Sequence, residues 1–521
     1  MDRFLIALLM QMHHAEPTAG HDIAALEISE RARARTLLDS LSETYAQINE
    51  GVDVSLRERE RLVRQQLSLH SDRLTRLLGG KNTEAQVQTL RKQVETLLQE
   101  YRDVETQIRV KNPRYTALTQ PQLLPAKAIQ KLLDQDTLLL EYALGSERSF
   151  VWAITADSIK SFDLPGRAAI ETAADRFIRV ISENQNRNVP QQIAAADELS
   201  RLVLTPVAKQ FGQKKIVIVA DGALLRVPFS ALSIAASEQP TNARRKAAAS
   251  AYQPLVLKHE IVHLPSASVL AVVRREMASH SAPDKSVAVI ADPVFQSGDP
   301  RVKTNVSSLT NQKPPSERER SAWESGLENL QRLPYSRREA DAIVSLVAND
   351  QSFKAVDFAA NRAAVSHDVL AHYRVVHFAT HALLNNSYPE LSGVVLSLVD
   401  ENGAPQNGFL RLYEIYNLRL SSDLVVLSAC RTALGKQVRG EGLIGLTRGF
   451  MYAGSPRVMV SLWEVNDEAT AELMKKFYTA MFVHQMRPAA ALRNAQAAML
   501  RHRWWNAPYY WAAFEIQGEF R

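Results

Sequence analysis

Two residues carry nucleophilic chemistry at a spacing that could bring them together. Cys430, the only cysteine in 521 residues, ends the apolar run "DLVVLSAC", and His381 ends "YRVVHFATH" 49 residues earlier. An unperturbed thiol has a pKa near 8.5, so only about 3% is thiolate at neutral pH. A neighbouring imidazole can hold the thiolate as an ion pair or take its proton during attack, then protonate the departing amine. The tetrahedral oxyanion needs fixed donors, and the backbone N–H groups of Ala382 and Cys430 could supply them.

Each residue alone supports a plainer reading. A lone cysteine at the end of an apolar strand is usually a small buried hydrophobe. A lone histidine is more often a satisfied polar group than a catalyst. His377 lies inside the strand pattern and reads as structural. His377, His381 and Cys430 could imitate a zinc set, but no acidic or cysteine ligand stands near them at finger-like spacing, so neither metal nor cofactor is expected.

The elements around the pair suggest how it is positioned. From about residue 117, short apolar runs alternate with helical patterns. "DTLLLEYALG" and "RSFVWAITA" read as a hairpin, followed by "KKIVIVADG", "HEIVHLP" and "KSVAVIADP". After Leu333 come helix "SRREADAIVSLVA", strands "YRVVHFATH", "LSGVVLSLVD" and "DLVVLSAC", helix "GEGLIGLTRGFMYAG", strand "RVMVSLWEV" and a final aromatic run. Such runs, bounded by Asp, Gly or Pro, predict a parallel sheet sandwiched by helices. In such sheets ligands bind beyond the carboxyl ends of the strands, where His381 and Cys430 both fall. Segments 238–254 and 296–325 are polar and read as solvated loops.

Residues 22 to 110 contain no strand signal. Val87, Leu90, Val94, Leu97, Tyr101, Val104 and Ile108 recur at steps of three and four, an a/d seam. Val63, Leu67, Leu74 and Leu77 mark an earlier helix, with Gly79-Gly80 as the break. The expected organisation is a helical region over 1–110, a degenerate α/β half over 117–295 and a catalytic half over 327–521. The first half cannot host a cysteine nucleophile.

Composition excludes little but agrees. At 46% hydrophobic and 23% charged, with a formal charge of +6, the chain reads as an ordinary globular protein. One cysteine rules out an internal disulfide. "FLIALLM" near the start is too short to span a bilayer and lacks signal-peptide flanks. A cytoplasmic protein without membrane contact is expected. The basic clusters lie among acidic residues or in loops, so nucleic acid is not.

The stretch from "HFATHALLN" through "SACRTALG" to "VMVSLWEVND" resembles the CHAT protease family. These are caspase-like cysteine peptidases related to separase, commonly joined to tetratricopeptide repeats. The spacing of His381 and Cys430 also matches the caspase arrangement. The resemblance covers about residues 120 to 521, and "ALEISERARARTLLDSL" is similar to the last helices of a repeat array.

It implies a cysteine endopeptidase acting on protein substrates, with Cys430 as nucleophile and His381 as general base and acid. Regulation would come through partners docking on the N-terminal helices. Ala429 and Cys430 keep part of the caspase signature, whereas Ser428, Thr432 and Ala382 depart from it.

The resemblance also assigns residues 458–467 to a strand that pairs with substrate and lines the first specificity pocket. Ser461, Leu462 and Trp463 would line it, Glu441 would shape it, and Asp467 or Glu464 would hold a basic P1 side chain. "NDEATAEL" equally reads as a helix start capped by Asn466 or Asp467. A pocket framed by Trp463 is the apolar alternative, and a catalytically silent adaptor is the alternative for the whole chain.

Overall fold

The hairpin "DTLLLEYALG…RSFVWAITA" forms as strands β1 (Thr137–Ala143) and β2 (Arg148–Ile154), antiparallel, with β3 (Ile159–Pro165) on the outer edge. The computed structural model describes residues 2–42, positions within 55–70, and 84–110, 124–183, 189–234, 252–279, 282–303, 330–383, 392–428 and 441–521. The further strands of the main sheet are β4 (Lys215–Val219), β5 (Ile261–His263), β6 (Lys285–Pro293), β7 (Ser352–Asp357) and β8 (Tyr373–Ala379). A short side sheet has β9 (Ala382–Leu383), β10 (Gly393–Val395) and β11 (Phe409–Arg411). The main sheet ends with β12 (Leu424–Leu427), β13 (Arg457–Ser461) and β14 (Phe514–Gly518).

One eleven-stranded sheet runs in the order β3-β2-β1-β4-β5-β14-β13-β12-β8-β6-β7. Its interior is mostly parallel: β1 with β4, β4 with β5, β5 with β14, β13 with β12, β12 with β8, and β8 with β6. The last strand, β14, joins two blocks. It lies parallel to β5 and antiparallel to β13. Strand β6, grouped by its sequence position with residues 117–295, instead sits between β8 and β7, beside the His381 strand. An apolar run buried on both faces demands interior neighbours, and its composition does not say which ones.

Helices cover both faces. The ones that matter for the site are α1 (Asp2–Ala15), α2 (His21–Ser42), α3 (Glu84–Val110), α4 (Ala126–Leu132), α5 (Arg167–Ser182), α6 (Val189–Val203) and α7 (Ala267–Ser279). The C-terminal block adds α8 (Pro334–Val344), α9 (Glu441–Tyr452), α10 (Asp467–Tyr478) and α11 (Pro488–Leu500). Alternate residues of β8 serve two cores. Val375 and Ala379 join the cluster containing Leu473 and Phe477 of α10, and Val376 and Phe378 join the one containing Leu446 and Phe450 of α9. The turn from α9 into β13 needs Gly454, at φ +114°, where a side chain would collide with the Leu420 carbonyl.

The N-terminal helices are welded to the first block. Ile6, Met10, Ala25 and Leu26 belong to its core. Buried Glu30 accepts from the N–H groups of Ala267 (2.9 Å) and Ser268 (2.8 Å) and from the Ser268 hydroxyl (2.7 Å), capping α7. Ser29 donates to Glu141 at 2.6 Å, and Arg33 donates to the carbonyls of Ala220 and Tyr142. Of the predicted α3 seam, Leu90, Val94 and Val104 are buried, and Arg59 pairs with Glu100 at 3.1 Å across the helices. Val87 and Ile108 side chains, Leu67, Leu74, Leu77 and Gly79-Gly80 lie outside the described residues, as does most of segments 238–254 and 296–325.

Candidate active site

The register of two adjacent parallel strands defines the site. β8 and β12 are neighbours, with Phe378 opposite Leu427, and the Ser428 N–H donates to the Phe378 carbonyl at 2.9 Å. His381 follows Phe378 by three residues, and Cys430 follows Leu427 by three. Residues 429–440, Cys430 and Ala429 among them, lie outside the described residues, as does the side chain of Glu441.

His381 is almost fully buried, at 4% exposure. Its carbonyl accepts from Val395 N–H at 2.8 Å, and the preceding Thr380 hydroxyl donates to the Val395 carbonyl at 2.6 Å. Phe295 packs its ring 5.2 Å from the imidazole. The Nε2–H donates to the Gln331 carbonyl at 2.8 Å, which fixes the ring orientation and leaves Nδ1 as the lone-pair nitrogen of the neutral tautomer. Antiparallel pairs alternate between bonded and non-bonded kinds. Because His381 and Val395 are bonded, the next pair, Ala382 opposite Val394, is non-bonded, and the Ala382 N–H points away from β10.

Gln331 is held by a cluster that the sequence did not announce. At Asp292 strand β6 bulges and φ turns positive, +47°, so the carboxylate is aimed out of the ladder. Asp292 is buried and receives a bidentate pair from Arg332 (2.8 and 2.7 Å), a bond from Arg337 (3.0 Å) and an ion pair from Arg301 (3.1 Å). Asp357, also at positive φ, receives Arg301 at 2.7 Å and Arg337. Burial pushes the Asp357 carboxyl up, but the bonds from Arg337 and Arg301 outweigh it and leave it below its usual range. The Arg301 hydrogen bond likewise lowers Asp299. Arg332 is the next residue after Gln331, so the clamp acts on the strap that carries the histidine's acceptor. A sequence signal existed in the Asp that ends "KSVAVIAD" and the arginines of "QRLPYSRREAD", but a role exerted through a backbone carbonyl leaves no mark on residue type.

The substrate-side residues divide. Strand β13 is paired with β14 from Arg457 to Ser461 and with β12 at Val458 and Met459. On the β12 side the paired register ends at Met459. The Ser461 hydroxyl donates to the Trp463 carbonyl at 2.6 Å, Leu462 N–H donates to Ala513 at 2.9 Å, and buried Trp463 donates its indole N–H to Tyr509 at 3.2 Å. Asn466, not Asp467, caps its own helix, accepting from Ala469 N–H at 2.9 Å. Asp467 instead accepts from Tyr335 N–H at 2.9 Å, at the start of α8. Burial, with Glu339 and Asp292 nearby, pushes its carboxyl up to about 6 against the opposing hydrogen bond. The carbonyl of Glu464 accepts from the Tyr509 hydroxyl at 3.0 Å. His377 is enclosed between the Tyr478 hydroxyl (2.9 Å) and Glu339 (2.7 Å), a core position.

Among the described residues no cluster of three or more His, Cys, Asp or Glu could hold a metal ion, and no helix is long and apolar enough to cross a membrane. The large, mostly parallel sheet flanked by helices, with His381 at a carboxyl strand end, defines an α/β protein. The family model of the CHAT domain matches residues 194–519, and the chain belongs to that family, whose domain is peptidase-related.

Similar curated proteins are tetratricopeptide repeat protein 28 of Mus musculus, 34% identical over 105 residues, and that of Homo sapiens, 32% identical over 113. These matches cover 20% and 22% of this chain but only 4% of each relative, so the chain spans a small fraction of their length. Two crystal structures of the Saccharomyces cerevisiae separase–securin complex, at 2.6 and 3.0 Å, align at TM-score 0.39 with 9% and 8% identity. They cover 96% of this chain and 41% of theirs.

Proposed function

We propose that the chain is a cysteine endopeptidase of the caspase-like type, with Cys430 as nucleophile and His381 as its base. One observation carries the reading. The carboxyl ends of β8 and β12 stand side by side in register, and each reactive residue follows its register partner by three positions. Neighbouring strands lie about 4.8 Å apart, so the strand ends that lead toward the two residues leave one sheet edge side by side. Family membership supports the same chemistry.

In this mechanism the Gln331 carbonyl holds the Nε2 proton and stabilises the imidazolium that forms when Nδ1 takes the thiol proton. The Cys430 sulfur attacks the scissile carbonyl carbon, and its oxygen gains the negative charge. The Ala382 N–H, outside the ladder, and the Cys430 N–H receive that charge. His381 returns the proton to the leaving amine, giving an acyl-enzyme and a free amine product. Water, deprotonated by His381, then releases the acid and the thiol.

The division into a helical region over 1–110, a degenerate half over 117–295 and a catalytic half over 327–521 belongs to this proposal, with β6 contributed to the catalytic block. Protein substrates and regulatory partners on the N-terminal helices belong to it as well. Asp467 serves here by anchoring α8; the bond from Tyr335 N–H favours that role over a P1 pocket floor. Mapping cleavage sites in a proteome treated with the chain or with Cys430→Ala tests the reading. Sites absent from the variant sample are expected, and identical maps would refute it.

A further inference from the structure

The block without a cysteine has its own opening. A cavity of about 250 Å³ lies at the carboxyl ends of β1, β4 and β5, where Leu144, Asp221 and Leu264 leave their strands. Its walls come from three parts of the chain: α1 and α2, the first block with β14, and Arg448 of α9. In open α/β sheets this is where ligands bind.

Polar atoms that lack partners converge on it. Five buried atoms without a hydrogen bond line this one cavity: Arg33 Nε, Arg448 Nε, both ring nitrogens of His263 and Glu515 Oε2. Native structures leave few such atoms, because each has given up water without a replacement. His263 and Glu515 approach to 3.2 Å without forming an aligned bond. Burial lowers His263 to about 4 and raises Glu515 to about 8, disfavouring the charged form of each.

The charge that remains is positive. Asp221 is already engaged by Arg167 at 3.1 Å and by the Leu144 N–H at 2.8 Å. Glu141 lies 3.5 Å from Arg33 Nε, and burial holds its carboxyl well above the usual carboxylate range. Arg3 pairs with Asp221 at 3.7 Å, which leaves Arg33 and Arg448 as the cations of the wall, with Asp2 the remaining carboxylate. The remaining wall is apolar, with Ile6, Phe150 and Leu264. The volume falls below the roughly 300–1,000 Å³ of sites for drug-sized ligands.

We infer that this cavity binds a small organic anion, with a carboxylate or phosphate head on Arg448 and Arg33 and an apolar body against Phe150 and Ile6. The occupant hydrogen-bonds His263 and Glu515 at the floor. Bound there, it ties the N-terminal helices to α9, the helix that follows the Cys430 loop. The site stands whether or not the chain is a peptidase.

Titration calorimetry and thermal unfolding of the full chain with benzoate, phenyl phosphate and inorganic phosphate test it. At least one aryl probe should bind and raise Tm with concentration, and the stronger of the two identifies the head group. Inorganic phosphate should bind at least tenfold more weakly, because it has no apolar body. Arg448→Gln should weaken binding at least tenfold. Ala7→Trp, on the exposed rim of α1, should block binding without disturbing the core. No binding by either aryl probe up to millimolar concentration would overturn the inference. So would equal binding of inorganic phosphate, or wild-type affinity in both variants.

Discussion

Replacing Arg332 by Gln removes the bidentate pair to Asp292, at 2.8 and 2.7 Å, without touching His381 or Cys430. Hydrogen bonds to charged groups contribute about 1.5–3 kcal/mol when buried. The Arg332 side chain is 40% exposed, so solvent screening reduces its share to about 1 kcal/mol. Asp292 keeps Arg337 and Arg301, so the variant should fold, with Tm lower by about 2–4 °C at most.

The local consequence is larger than the global one. In the proposed mechanism, a loosened strap would let the Gln331 carbonyl drift from Nε2–H and weaken the imidazolium that balances the thiolate. A loss of about 1 kcal/mol at that bond raises the thiol pKa by about 0.7. Because Cys430 is the only cysteine, iodoacetamide modification followed across pH reads its ionisation directly. The inflection should move up by about half to one pH unit in Arg332→Gln. Arg332→Lys, charged but not bidentate, should fall between the two. An unchanged inflection in a folded Arg332→Gln protein would refute the clamp, as would a change that merely tracks unfolding.

Two further outcomes concern stability. Glu30→Ala strips the α7 cap and three accepted bonds, and should cost about 2 kcal/mol in denaturant unfolding; no loss would show that the N-terminal helices are not anchored there. Asp467 has its folded pKa raised to about 6 from 3.8, so its protonated form favours the fold. Stability should fall as pH rises from about 4 through 6, by about 1 kcal/mol after screening for partial exposure. Asp467→Asn, which keeps an acceptor for Tyr335, should remove that slope, and an equal slope in the variant would contradict the assignment.

The sheet was legible where apolar runs were long and bounded. β1, β2, β4, β5, β6, β8, β12 and β13 all fall on runs recognised by composition, because burial on both faces leaves little choice of residue. Strand β3, "IKSFDLP", was missed because an edge strand is half exposed and its polar residues break the pattern. The short strands β9 and β11 are set by pairing to β10 and have almost no local signal. Strand order was not legible at all: only the fold places the terminal strand β14 between the two blocks and β6 beside β8. At the candidate site, residue type and position suggested His381, and the fold places it at the end of β8. The strap at Gln331 and the Asp292 bulge could not be named from sequence, because a backbone acceptor and a positive φ are properties of conformation.

The central claim is that His381 ionises Cys430, and one comparison tests it most directly. The pH dependence of iodoacetamide modification should be measured on the native chain and on His381→Ala. The native thiol should titrate well below the ordinary value of about 8.5, and the variant should return to it. The same profile in both folded proteins would contradict the account.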